Sequence, residues 1–157
     1  MTASRRRSGV VREVAPPYGA LLLDTHVWIW ELTFDYPRYV PAHVKDRVES
    51  QSRSAGVFVS DISYWEIALK AESGRLALGL PTDVLLARAE ESARGRPIPV
   101  DRRVLLLSTR LHGMHRDPAD RLLVATAKLH GLTLVTADKA ILSWARKEGR
   151  TSVLAAR

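Results

Sequence analysis

The chain has 157 residues, 46% of them hydrophobic, a formal charge of +7 and a pI near 10.2. That length suits one domain with a sizeable core, and that hydrophobic content argues against a disordered chain. With no cysteine there are no disulfides and no cysteine-ligated metal sites, which fits the cytoplasm; the apolar runs are too short to span a bilayer, and no secretory segment follows the N-terminal arginines.

Residues 1–19 read as a basic tail. They hold Arg5, Arg6, Arg7, Arg12 and a Pro16-Pro17 pair but no amphipathic period, so disorder is the expectation. The domain, 20–157, opens with a buried strand, Ala20–Asp24, and a helix, Thr25–Leu32. A loop with two prolines and two tyrosines, Phe34–Pro41, leads to a helix over Ala42–Arg53. Val57–Ser60 is a second strand, and Ser63–Ser73 a helix stopped at Gly74. A helix over Thr82–Arg94 takes Thr82 as its N-cap, and Ile98–Val100 is a third strand. Helices follow over Arg102–Leu111, stopped at Gly113, and Pro118–His130, closed by Gly131. Leu132–Thr136 is a fourth strand, Lys139–Lys147 a helix ending before Gly149, and Ser152–Leu154 a short fifth strand. Strands alternating with helices, the strands being continuous apolar runs, predict an α/β sandwich around a mainly parallel sheet of four or five strands.

The placement of the acids carries the most information. Asp24 ends the first apolar run and Asp138 follows the fourth, while Glu66 and Asp120 open helices. In an open parallel sheet these places lie along one edge, where ligands bind. Four carboxylates gathered there repel one another and are tolerated around cations, which points to a magnesium- or manganese-dependent enzyme. The basic balance of the chain adds a push toward a polyanionic substrate.

Each acid also has a competing structural role. Asp24 and Asp138 precede helices as N-caps do. In Asp117-Pro118-Ala119-Asp120, Asp117 fits an N-cap and Asp120 the first turn. Ser63-Tyr64-Trp65-Glu66 fits a capping box, with Glu66 reaching back. Capping explains any one acid but not four distant elements pointing acids to one edge. Nor does it explain the adjoining hydroxyls Thr25, Ser60, Ser63 and Thr136, which suit support of a metal site.

Four stretches now stand in order: Asp24-Thr25-His26-Val27-Trp28-Ile29-Trp30; Ser60 to Ala68, with Lys70 and Gly74-Arg75-Leu76; His115 to Ala127; and Leu134 to Asp138. They resemble the motifs of PIN-domain ribonucleases, and in order and spacing the VapC toxins of bacterial type II toxin–antitoxin pairs. The resemblance runs from about Leu21 to Leu142. It implies a PIN-like three-layer α/β/α sandwich, cleavage of RNA, a Mg2+ or Mn2+ site, and neutralisation by a cognate VapB-type antitoxin. It also implies a homodimer, with DNA contacted only through the antitoxin. Carried over by position, the catalytic and metal-holding acids are Asp24, Glu66, Asp120 and Asp138. Asp117, Thr25, Ser63, Thr136 and Arg121 support them. The stretch Phe34–Pro41 and the N-terminal tail both exceed the family pattern.

The chemistry fits: a hard cation acidifies a bound water and relieves charge on the phosphate. Asp24 and Asp120 take the main metal contacts. Glu66 and Asp138 either bind a second metal or hold and deprotonate the attacking water. Arg121 is read as the ion-pair partner of an acid, or as a phosphate contact. His26, His115 and Arg116 rank below the acids, and His43, His112 and His130 read as surface. Trp28 and Trp65 read as core, and Trp30 equally as core or as an anchor for the antitoxin. Two other classes compete. One is a non-catalytic RNA-binding module on the same fold, against which the four intact acids speak. The other is a phosphatase on another doubly wound sheet, which looks for an aspartate where this chain has His26.

Overall fold

The computed structural model describes residues 19–33, 35–54, 56–91 and 95–157, so the tail expected over 1–19 falls, up to residue 18, outside the described residues. Five strands form one all-parallel sheet: β1 (Leu21–Leu23), β2 (Val57–Ser60), β3 (Arg96–Ile98), β4 (Thr133–Thr136) and β5 (Val153–Ala155), in the order β3-β2-β1-β4-β5. Parallel neighbours need a crossover, and helices supply it. They are α1 (Thr25–Leu32), α2 (Tyr36–Tyr39), α3 (Ala42–Arg53), α4 (Asp61–Glu72), α5 (Thr82–Glu91), α6 (Arg102–Thr109), α7 (Pro118–His130) and α8 (Lys139–Glu148).

β1 is the middle strand, and Leu21, Leu22 and Leu23 are fully buried. Strand side chains alternate between faces, so one apolar run feeds two cores. Leu22, Phe58 and Leu134 pack with Val104 of α6, Leu123 and Val124 of α7, and Ile141 and Trp144 of α8. Leu21, Leu23, Val57, Val59 and Val135 pack with Val27 and Trp28 of α1, Val44 and Val48 of α3, and Ile67 of α4. The result is the expected three-layer α/β/α sandwich. Gly95, with φ +142°, sits just ahead of β3; a Cβ there would lie 3.1 Å from Nε1 of buried Trp28, so the site holds no larger residue without strain.

Several boundaries differ from the sequence reading. The loop expected over Phe34–Pro41 contains the single turn α2. α4 begins at Asp61, two residues early, because the Ser60 hydroxyl accepts the Ile62 N–H at 3.4 Å and caps it. Ser63 and Glu66 therefore lie inside the helix, and the capping box does not form. Thr82 is the first residue of α5 rather than its cap, and the Pro81 carbonyl accepts the Leu85 N–H. The far end of that expected helix, 92–94, lies outside the described residues. β3 pairs through Arg96–Ile98 rather than Ile98–Val100. It is an edge strand, and an edge tolerates Pro97, which has no N–H to give.

The topology fixes where a ligand goes. From β1 the chain steps outward through β2 and β3, then returns to the opposite side of β1 with β4. Such a reversal opens a crevice at the carboxyl ends of the two central strands. There Asp24 follows the last residue of β1, and β4 ends at Thr136.

Leu22→Ala should destabilise the domain by roughly 2–5 kcal/mol, the cost of a cavity in a packed core. Urea unfolding followed by circular dichroism checks this; a loss under about 1 kcal/mol would place Leu22 outside the core.

Candidate active site

Asp24 is the deepest acid, only 1% exposed. It occupies the N-cap position of α1, yet its side chain makes no capping hydrogen bond. Instead its Oδ2 accepts from Thr136 Oγ1, at the end of the neighbouring strand. The Thr136 oxygen in turn accepts the Asp138 N–H at 3.0 Å. On the other side, His26 Nδ1 lies 3.4 Å from Asp24 Oδ1. The Thr136 hydroxyl thus ties together the ends of β1, β4 and α8.

Glu66 is held from α1. Thr25 Oγ1 lies 2.6 Å from Glu66 Oε1 and 2.9 Å from Ser63 Oγ. One hydroxyl has one proton, and the carboxylate is the stronger acceptor. Glu66 Oε2 faces Lys70 Nζ at 3.6 Å, one turn along α4. Ser60, Ser63, Thr25 and Thr136 are all fully or almost fully buried, and all four hydroxyls expected beside the acids line this edge of the sheet or the helix starts next to it.

Asp120 projects from the first turn of α7, with His115 Nε2 2.7 Å from its Oδ2. Asp117 and Asp138 are the caps the sequence suggested. Asp117 Oδ1 accepts the N–H groups of Ala119 and Asp120 at 3.0 and 3.1 Å. Asp138 Oδ1 accepts the Ile141 N–H at 2.8 Å, leaving its second oxygen without a cap bond. Capping therefore explains Asp117 and one oxygen of Asp138, and fails for Asp24 and Glu66.

Arg121 departs from its expected role. Its Nε and Nη2 donate to the Ser108 carbonyl at 3.0 and 2.7 Å, and its Nη1 to the carbonyls of Met114 and His115 at 3.1 and 3.2 Å. Among the described residues no carboxylate pairs with it. The guanidinium satisfies backbone acceptors at the end of α6 and in the loop that carries His115, which is a common duty for a cation there. It acts on the site by fixing that loop. The two histidines ranked low, His26 and His115, are in fact the ones that contact acids. Their signal in the sequence was proximity, two residues after Asp24 and five before Asp120. Arg116, His43 and His112 are exposed, and His130 is half-buried.

The tryptophans also sort themselves. Trp28 is fully buried, as expected of core. Trp30 is half-buried against His26 and Tyr39, with ring centroids 5.6 and 5.2 Å apart. Trp65, expected in the core, is 58% exposed. The face of α4 that turns inward carries Ser63 and Ile67, and Trp65 lies on the other side of the helix.

Electrostatics bind the acids into one group. Burial raises the Asp24 carboxyl above its ordinary value; His26 and Thr136 pull it down, and the charges of Asp120 and Glu66 push it up. Burial raises Asp120 as well, offset by the His115 hydrogen bond and reinforced by the charges of Asp117 and Asp138. Among the described residues no three carboxylates or histidines already stand in metal-holding range. The donor chemistry nonetheless suits a hard divalent cation: oxygen ligands, one of them a buried carboxylate whose neighbours are a hydroxyl and an imidazole rather than a lysine or arginine.

Fold and site together define a parallel-sheet domain whose switch point gathers carboxylates that feel one another's charge. The chain belongs to the PIN domain family, whose model matches residues 21–147. That removes the reading as a phosphatase on another doubly wound sheet. No curated protein sequence matches it. Among solved structures it is similar to a chain of the DNA-bound VapBC of Salmonella typhimurium, at 19% identity over 88% of this chain and 98% of that one, with a TM-score of 0.62. It is similar to a chain of Neisseria gonorrhoeae FitAB bound to the IR36 DNA fragment, at 26% identity, 86% and 94% coverage and a TM-score of 0.55. It also resembles a chain of VapBC-5 from Mycobacterium tuberculosis, of the VapBC family of toxin–antitoxin systems, at 23% identity, 88% and 98% coverage and a TM-score of 0.51.

A raised carboxyl favours the fold while protonated. The contributions of Asp24 and Asp120 are thus full at low pH and are lost as pH climbs from the ordinary carboxylate value through their raised ones. Asp24→Asn and Asp120→Asn remove that loss. At pH 7 without metal, each should melt at or above the wild-type temperature in a calorimetric scan. Variants that melt well below wild type would make these acids structural.

Proposed function

We propose that this chain is a metal-dependent endoribonuclease, the toxin of a type II toxin–antitoxin pair. The observation that carries the reading is the buried Asp24 carboxylate at the switch point, which feels the charges of Glu66 and Asp120 and, among the described residues, pairs with His26 and not with a Lys or Arg. Carboxyls raised chiefly by burial, with neighbouring acids adding to the shift, are costly to a fold and useful to an enzyme. Membership of the PIN family and the likeness to chains of VapBC complexes support the same reading.

Asp24 and Asp120 would hold Mg2+ or Mn2+, with Glu66 and Asp138 as the further carboxylates. When bound, such an ion neutralises phosphate charge and acidifies a water molecule. Thr136 holds Asp24 in one rotamer, and Thr25 does the same for Glu66. With Oε1 engaged by Thr25, Glu66 takes the proton of an attacking water on Oε2, beside Lys70. His115 orients Asp120 through its imidazole, and Arg121 holds the loop beneath His115. Ser63 buttresses the Thr25 hydroxyl. Asp138 caps α8 through one oxygen, and its charge reaches Asp120.

The chain's +7 charge suits an RNA substrate. A VapB-type antitoxin would neutralise it, and DNA would be reached only through that antitoxin. Assembly as a homodimer and a bacterial cytoplasmic location complete the proposal, with residues 20–157 as the nuclease domain and 1–19 as a basic tail. Among the described residues no helix is long and apolar enough to cross a membrane.

Purified protein free of antitoxin should cleave single-stranded RNA in Mg2+ or Mn2+ and lose cleavage in EDTA. Asp24→Asn and Asp120→Asn should each lower the rate by roughly 100-fold or more, the scale expected when a group that stabilises transition-state charge is lost. Gel assays on a labelled transcript read both. Full activity in EDTA would reject the metal mechanism. RNA binding without any cleavage would favour the non-catalytic module.

A further inference from the structure

Trp65 stands out among the apolar side chains left in water, with 58% of it exposed one residue before Glu66 on α4. It lines a cleft of 510 Å³ between α4 and the start of α7. That is the size of a small-ligand site, for which roughly 300–1,000 Å³ is usual. Leu69 and Pro118 give the cleft further apolar wall, and Lys70 and Arg75 give it cations. Glu66 and Asp117 line it too, so it is continuous with the carboxylate site.

We infer that this cleft receives one unpaired base of a single-stranded RNA substrate, with Trp65 as its stacking platform. The inference rests on the nuclease reading above and names where a base of the single-stranded substrate sits and which side chain holds it. A nucleotide brings two things, a flat apolar face and an anionic phosphate. The cleft offers both complements: an exposed indole with Leu69 and Pro118, and the charges of Lys70 and Arg75. The Arg75 Nε donates to Ser73 Oγ at 3.0 Å, and no carboxylate pairs with its guanidinium among the described residues. The Lys70 ammonium meets Glu66 only at 3.6 Å. A base still paired in a duplex cannot present its face to an indole, so the substrate is single-stranded at this position. Stacking on an aromatic ring tolerates any base, so Trp65 contributes affinity more than sequence choice. A basic peptide fits less well, since it would meet Lys70 and Arg75.

The test uses the full chain carrying Asp24→Asn to prevent turnover. Its affinity is measured by fluorescence anisotropy for a labelled single-stranded oligoribonucleotide and for a series with one abasic position moved along it. Trp65→Ala should weaken binding of the unmodified strand by about 10-fold, the factor typical of losing one stacked base, and Trp65→Phe should retain most of the affinity. One abasic position should cost the Asp24→Asn protein about the same 10-fold, and on that strand Trp65→Ala should cost nothing more. The melting temperature and the oligomeric mass should not change. Equal losses from Trp65→Ala on every abasic strand, or no loss on any, would overturn the inference. Unchanged RNA affinity with a fall in oligomeric mass would give the cleft to a second copy, and unchanged RNA affinity with lost antitoxin binding would give it to the antitoxin. Failure of the wild type to cleave RNA would reject the nuclease reading, and the binding series would still decide the role of Trp65.

Discussion

The site depends on one buried carboxylate. Asp24 sits at the carboxyl end of the central strand, almost wholly out of water, with a threonine hydroxyl and an imidazole as its neighbours. Burying a charge without a full counterion is expensive, which is why its carboxyl is pushed upward. The surrounding fold accepts that cost because β1 is packed on both faces and cannot turn Asp24 outward without exposing Leu21, Leu22 and Leu23. The core of the sandwich and the strain at its edge are therefore linked: the same strand supplies both.

Around Asp24 the polar groups are shared between structural and chemical duties. The Thr136 hydroxyl binds Asp24 and accepts the backbone N–H of Asp138, so the end of β4 is tied to the acid at the end of β1. Asp138 gives one oxygen to its helix and keeps the other. Thr25, the first residue of α1, reaches across to Glu66 on α4. Asp24 and Glu66 are thereby set by neighbouring elements rather than by their own. Arg121 shows the reverse arrangement: a cation in the helix of Asp120 that spends its hydrogen bonds on carbonyls rather than on an acid.

Much of this was legible in the chain. Continuous apolar runs such as Leu21–Leu23 and Leu132–Val135 announced strands buried on both faces, and helix stops at Gly131 and Gly149 marked the last two crossovers. The acids at strand ends and first turns pointed to a common edge. What the chain could not reveal was phase. Whether Ser60 or Ser63 caps α4 depends on where β2 lets go, and which face of α4 turns inward, here that of Ser63 and Ile67, decides the exposure of Trp65. Side-chain partners across elements were likewise out of reach. Nothing local to Arg121 separates a carbonyl clamp from an ion pair, and nothing local to His115 shows that the turn into α7 brings it back to Asp120. The β3 shift has the same origin, since the register of an edge strand is set by its neighbour β2 and not by its own apolar content.

The central claim is that crowding of carboxylates around Asp24 is relieved by a divalent cation. Titration calorimetry of Mn2+ into the antitoxin-free protein near pH 5.5, in buffers of different ionisation enthalpy, measures both binding and the protons that accompany it. Acids held above their ordinary value must give up protons to a metal, so the account predicts saturable binding with net proton release, and loss of both in Asp24→Asn. Binding of equal strength and equal proton count in wild type and Asp24→Asn, or no binding to either, would contradict it.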